Sequence, residues 1–182
     1  MNLPNNLSLF RILLAPVFVV LLSYYSPERN FLHLASIFVF LVACATDGVD
    51  GYLARKFDQK TTLGSYLDPI ADKLLLLSGF LSLSLMNNLP DSMRIPAWVA
   101  VPVIARDTLI VIGSTIIFLL TGRLKAEPLF IGKITTVFQM LTLFFSIAAA
   151  PELVRTGLFV GTVLLTVLSG ALYIRMGERL LR

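Results

Sequence analysis

Six apolar runs, each long enough to cross a bilayer, follow one another with only short polar breaks between them, and this pattern constrains the fold most. They fall at roughly 7–25, 31–56, 62–88, 95–121, 129–150 and 153–176. A helix rises about 1.5 Å per residue, so about 20 residues span about 30 Å of hydrocarbon. In lipid every backbone polar group must be satisfied within its own segment, which leaves helices as the solution for runs of this length. The composition agrees: 57% of the 182 residues are apolar and 14% are charged, where a soluble domain carries roughly 25% charged residues. The expectation is an all-α integral membrane protein of six transmembrane helices, forming one domain over 1–182. Ser26-Pro27, Phe57-Asp58-Gln59, Asn87-Asn88 with Pro90, Gly122 and Pro151 supply the stops. The opening NLPNNLSLFR is polar for a span and predicts an interfacial segment that turns into the bilayer at Ile12.

The basic residues predict orientation. With the N-terminus cytoplasmic, Arg11, Arg55, Lys56, Lys60, Arg123, Lys125, Lys133, Arg175, Arg179 and Arg182 share the inner side, and only Arg29, Arg94 and Arg155 lie outside. Ten against three follows the positive-inside rule. The formal charge of +4 is spread over helix ends with no basic run, so no nucleic-acid partner is expected. Cys44, the single cysteine, excludes an intrachain disulfide and reads as a small buried hydrophobe. The first run has no basic segment before it and no A-x-A site after it, unlike a cleaved signal peptide.

Against this apolar background, residues 47–72 read DGVDGYLARKFDQKTTLGSYLDPIAD. Helical spacing puts Asp47 and Asp50 on one face, and likewise Asp68 and Asp72. Each Asp at the centre of a span costs roughly 2.5–3.5 kcal/mol, so four approach about 10 kcal/mol before mutual repulsion. A hard divalent cation offsets that cost best, and carboxylate oxygens suit Mg²⁺, Mn²⁺ or Ca²⁺. Carboxylates paired on two helices match a two-metal site, where the ions clamp a phosphoryl group. Gly51 and Gly64 let either a bulky ligand or a neighbouring helix approach the backbone. Asp68-Pro69 fits either a helix start or a kink. A base for an incoming hydroxyl must come from the four carboxylates, since His33 lies at the outer end of its helix.

A second group is Arg106-Asp107 in the fourth run with Gly132-Lys133 in the fifth. It reads either as an internal ion pair fixing helix register or as a basic pocket for an anionic acceptor or pyrophosphate. Arg11 either snorkels to head groups or lines the cleft, and Lys73 either snorkels or pairs with Asp72. No P-loop, G-x-S-x-G elbow or His-rich metal motif is present, which excludes P-loop nucleotide chemistry.

The string Asp47-Gly-Val-Asp50-Gly51-Tyr-Leu-Ala54-Arg55, then eight residues, then Gly64-Ser-Tyr-Leu-Asp68-Pro-Ile-Ala-Asp72, resembles the CDP-alcohol phosphotransferase signature at every fixed position. The resemblance implies a six-helix enzyme, usually a homodimer, that moves a phosphatidyl group from CDP-diacylglycerol to an alcohol and releases CMP. By position it implies that Asp47, Asp50 and Asp68 hold Mg²⁺ or Mn²⁺. Asp72 would be both ligand and general base, and Gly51, Ala54, Arg55 and Gly64 would shape the cytidine and phosphate site. The flanks are similar to members that use sn-glycerol 3-phosphate, whose phosphate would meet Arg106, Lys133, Arg123, Lys125 and Arg11. Asp107 and Thr135 instead match members that take phosphatidylglycerol and form cardiolipin. A divalent-cation transporter is the third reading. It would need a polar route outward, whereas Phe31 to Ala43 and Leu74 to Leu85 are almost wholly apolar.

Overall fold

The computed structural model describes the backbone of residues 3–26, 28, 30–56, 62–121 and 129–181. Within those stretches the side chains of 3–5, 7, 30, 47–56, 62–70, 72, 114, 117, 118, 120, 121 and 177–181 lie outside what is described. Among the described residues six helices form in chain order: α1 (Leu3–Ser23), α2 (Asn30–Lys56), α3 (Thr62–Leu85), α4 (Ala97–Thr121), α5 (Phe130–Ile147) and α6 (Glu152–Leu181). These match the six apolar runs closely, because the runs end at local breaks, most of them carrying Pro, Gly or Asn, which weaken a helix.

Three expectations are corrected. α1 is one helix from Leu3 to Ser23 with no turn at Ile12. Its polar opening remains helical because Pro4 falls in the first turn, where the missing N–H has no intrahelical partner to lose. Farther along, Ser8 and Arg11 are buried at 0% and 1% exposure, so part of its polar face meets protein. Snorkelling of Arg11 to head groups is excluded by the same burial. Asp68-Pro69 is not a helix start either, since α3 already begins at Thr62 and runs through both positions.

The surface differs from that of a soluble bundle. Phe10, Leu13, Val17 and Val20 stand exposed along α1, Phe31, Leu34, Phe38 and Leu41 along α2, and Leu74, Leu77, Leu81 and Leu85 along α3. Steps of three and four residues make each set one continuous stripe. Aqueous surfaces do not tolerate apolar stripes on helix after helix, whereas hydrocarbon does. Phe130–Ile147 and Glu152–Met176 are, in addition, long and apolar enough to cross a membrane. Among the described residues the fold is all-helical, and these apolar faces and spans are consistent with a membrane protein.

The chain divides into two compact units, one of residues 1–94 with 143–150 and one of 95–142 with 151–182. In the first, α1 packs on both α2 and α3. Phe18 meets Phe40 with ring centroids 5.9 Å apart, and Leu22, Ala43, Leu75, Leu76 and Phe80 are among the residues buried with them. Helix ends are closed by distant polar groups. Asn88 Nδ2 donates to the Leu22, Ser23 and Tyr25 carbonyls at 2.9, 3.1 and 3.2 Å, satisfying the last turn of α1. His33 Nε2 lies 2.7 Å from the Ile147 carbonyl, which can only accept, so this nitrogen carries the proton.

The last turn of α5 closes by a Schellman arrangement: Ala149 N–H donates to the Ser146 carbonyl and Ala150 N–H to that of Phe145, both at 3.0 Å. Ala149 supplies the left-handed residue at φ 50°, and Pro151 then prevents the helix from continuing.

In the second unit α4 packs on α6, and polar contacts join α5 to α6. Thr135, Gln139 and Thr142 are buried on α5, as are Thr162, Thr166 and Ser169 on α6. Both sets advance by three or four residues, so two narrow polar stripes form. Thr142 and Thr162 share a hydrogen bond of 2.7 Å, and Thr135 Oγ1 reaches the Leu165 carbonyl at 3.3 Å. Phe138 lies against Gly161, where a Cβ would stand 3.2 Å from its ring. Small and hydroxylated residues let helices approach closely without water, which suits packing inside a bilayer.

Candidate active site

Positions 47 and 50 fall in the last turns of α2, and positions 68 and 72 in the first half of α3. Both stretches are continuous helix, so the register puts 47 beside 50 on one side of α2 and 68 beside 72 on one side of α3. Both helices pack on α1 within the first unit. The side chains of Asp47, Asp50, Gly51, Ala54, Arg55, Gly64, Asp68 and Asp72 lie outside the described residues. Ala71, between the last two positions, is fully buried at 0% exposure.

The donor set itself can be tested for a cation. Four carboxylates offer only hard oxygen ligands, which fits Mg²⁺ or Mn²⁺ and disfavours softer metals that prefer thiolate or imidazole. Among the described residues no group of three or more His, Cys, Asp or Glu side chains gathers. By donor chemistry and helical register the aspartates of α2 and α3 are the metal candidates.

Of the five cations expected at the acceptor, Arg11 belongs to the same unit as the aspartates, while Arg106 and Lys133 belong to the other. Arg123 and Lys125 lie outside the described residues. Lys133 is exposed. Arg106 is 6% exposed and tightly held. Its Nη1 donates to Asp107 Oδ1 at 2.6 Å, and its Nη2 donates to Ser169 Oγ at 2.6 Å. The guanidinium carbon stands 5.5 Å from the centre of the Tyr173 ring, a cation–π contact. The internal ion pair read from Arg106-Asp107 is thus present. Its α6 partners, Ser169 and Tyr173, stand in an apolar run where only their helical spacing with Thr162 and Thr166 marks them.

The whole-chain comparison decides the family. A model of the CDP-alcohol phosphatidyltransferase family matches residues 1–168. The chain belongs to that family. A CDP-alcohol phosphatidyltransferase is a transferase of phospholipid biosynthesis, and the chain is accordingly an enzyme. Among its relatives is a probable phosphatidylglycerophosphate synthase of Mycobacterium tuberculosis, 32% identical over 182 residues, covering 98% of this chain and 82% of that one. A CDP-diacylglycerol–glycerol-3-phosphate 3-phosphatidyltransferase of Aquifex aeolicus is 36% identical over 143 residues, covering 79% and 74%. The enzyme of the same description from Bacillus subtilis is 34% identical over 149 residues, covering 77% and 73%. The CDP-alcohol phosphatidyltransferase match thus includes both aspartate-bearing helices, α4 and all of α5.

Proposed function

We propose that this enzyme transfers the phosphatidyl group of CDP-diacylglycerol to sn-glycerol 3-phosphate, giving phosphatidylglycerophosphate and CMP. The observation that carries the reading is the pair of register-matched carboxylates on each of α2 and α3. The names of the relatives supply the acceptor. Asp47, Asp50, Asp68 and Asp72 would hold Mg²⁺ or Mn²⁺, in a two-metal arrangement. Held by those carboxylates, such cations would supply positive charge to the diphosphate and to the leaving CMP.

The chain's own groups do the rest. Asp72 takes the proton of the glycerol hydroxyl, whose oxygen attacks in line at the phosphorus bearing diacylglycerol. The bond from that phosphorus to the bridging oxygen breaks, and the electron pair leaves on CMP. Gly51 and Gly64 leave room for the nucleotide beside the helix backbones, with Ala54 and Arg55 shaping the cytidine and phosphate site. Arg106, Lys133, Arg123, Lys125 and Arg11 supply positive charge for the acceptor's phosphate. All six helices span the cytoplasmic membrane, the site opens to the cytoplasm and to lipid, and the enzyme works as a homodimer.

Product analysis tests the acceptor. Purified enzyme with radiolabelled CDP-diacylglycerol and glycerol 3-phosphate is expected to yield phosphatidylglycerophosphate on thin-layer chromatography. The same enzyme with phosphatidylglycerol is expected to yield no cardiolipin. Label appearing only in cardiolipin would transfer the assignment to the phosphatidylglycerol-using members.

A further inference from the structure

Arg106 is fixed by two side chains of α6 that the reading above does not use. Ser169 and Tyr173 are four residues apart and so share one face of α6. Ser169 Oγ accepts from Arg106 Nη2 at 2.6 Å, and the Tyr173 ring lies under the guanidinium at 5.5 Å. Between them, a Cβ at Gly170 would sit 3.6 Å from Arg106 Cγ, so this turn of α6 runs along the arginine stem. Arginine loses much rotational freedom when it is held in one place. Here a hydroxyl, a ring and the Asp107 carboxylate fix it before any ligand arrives.

Tyr173 makes a further link. Its hydroxyl accepts the Leu129 N–H at 3.3 Å; this N–H sits just before α5, where amides have no intrahelical acceptor. Gly132 permits the approach: a Cβ there would stand 3.0 Å from the Tyr173 hydroxyl and 3.2 Å from Arg106 Nη2. Lys133 is the next residue. One tyrosine therefore sets the position of Arg106 against the start of α5, where the second cation stands. Arg106 Nε is buried and has no hydrogen-bond partner among the described residues, leaving a donor in reserve.

We infer that Ser169 and Tyr173 are positioning residues for recognition of a phosphate monoester on the acceptor, acting through Arg106 and the start of α5. The inference rests on the reading that Arg106 and Lys133 meet the acceptor's phosphate. Serine and tyrosine hydroxyls do not themselves touch the reacting atoms. They hold a planar donor fork in one orientation, which matters more for phosphate than mere positive charge does.

The test is steady-state kinetics with each substrate varied in turn, on Ser169→Ala and Tyr173→Phe. Tyr173→Phe keeps the ring under Arg106 and removes only the hydroxyl. Each variant is expected to raise KM for glycerol 3-phosphate about fivefold, the size of one lost hydrogen bond, while kcat and KM for CDP-diacylglycerol stay within about twofold. Thr162→Val, which removes the Thr142–Thr162 bond on the same helix pair, is the structural control. It is expected to lower thermal stability without changing the acceptor KM. Arg106→Lys is expected to raise the acceptor KM by more than about tenfold. If Arg106→Lys leaves that KM unchanged, the acceptor reading falls and the positioning roles with it. If Arg106→Lys raises it while Ser169→Ala and Tyr173→Phe do not, the positioning roles alone are overturned. An equal rise in both KM values for the α6 variants overturns them too.

Discussion

Asp72→Asn is expected to stop CMP release while the protein stays folded. Asparagine keeps the size of the side chain but can neither take a proton at neutral pH nor bring negative charge to a cation. Loss of a general base alone slows a reaction by about 10²- to 10⁴-fold, and loss of a metal ligand at the same position adds to that. The fall in turnover should therefore reach at least about a thousandfold. Position 72 lies well inside α3, next to the fully buried Ala71, and the substitution leaves the volume there nearly unchanged. Gel filtration and thermal melting in detergent are expected to match the parent enzyme. Undiminished turnover in a folded Asp72→Asn enzyme would contradict the assignment of the base.

Asp47→Ala is expected to act on cation dependence. Removing one of four carboxylates weakens a hard-cation site that depends on charge and on oxygen count. The Mg²⁺ concentration for half-maximal turnover should rise by more than about tenfold, an estimate set by what even indirect perturbation of metal sites costs. Part of the rate should return at high Mg²⁺, because Asp50, Asp68 and Asp72 remain. Titrating turnover against Mg²⁺ separates the two aspartates: Asp72→Asn stays slow at every concentration, whereas Asp47→Ala recovers. A titration curve identical to that of the parent would remove Asp47 from the metal site.

The six helices were legible because their causes are local. A run of apolar residues ends at Ser26-Pro27 or at Asn87-Asn88 whatever lies elsewhere in the chain, and α1, α2 and α3 end within about three residues of those expectations. The aspartates were legible for a related reason, since i, i+3 and i, i+4 spacing fixes a shared face before any tertiary contact forms. The turn expected at Ile12 was misread because hydropathy measures partition, not whether a helix runs on unbroken. Ser8 and Arg11 looked too polar for a bilayer because their burial against protein is a tertiary fact.

Long-range polar contacts were the least legible. Nothing near Asn88 announces that it closes α1, 63 to 66 residues earlier in the chain. His33 likewise bonds a carbonyl 114 residues away. A partial signal did exist for α5 and α6. Thr135, Gln139 and Thr142 repeat at helical spacing, as do Thr162, Thr166, Ser169 and Tyr173. In a helix otherwise apolar, such a stripe marks the side turned toward protein. Read that way, it would have pointed to Ser169 and Tyr173 as neighbours of another helix, though not to Arg106 as the group they hold.

The central claim is that the acidic positions of α2 and α3 act by gripping divalent cations. The direct test is formation of phosphatidylglycerophosphate from CDP-diacylglycerol and radiolabelled glycerol 3-phosphate by enzyme stripped with a chelator, before and after Mg²⁺ or Mn²⁺ is returned. The account predicts no labelled lipid from the stripped enzyme and recovery of full turnover once either ion is restored. Full turnover by the stripped enzyme, with chelator still present, would contradict it.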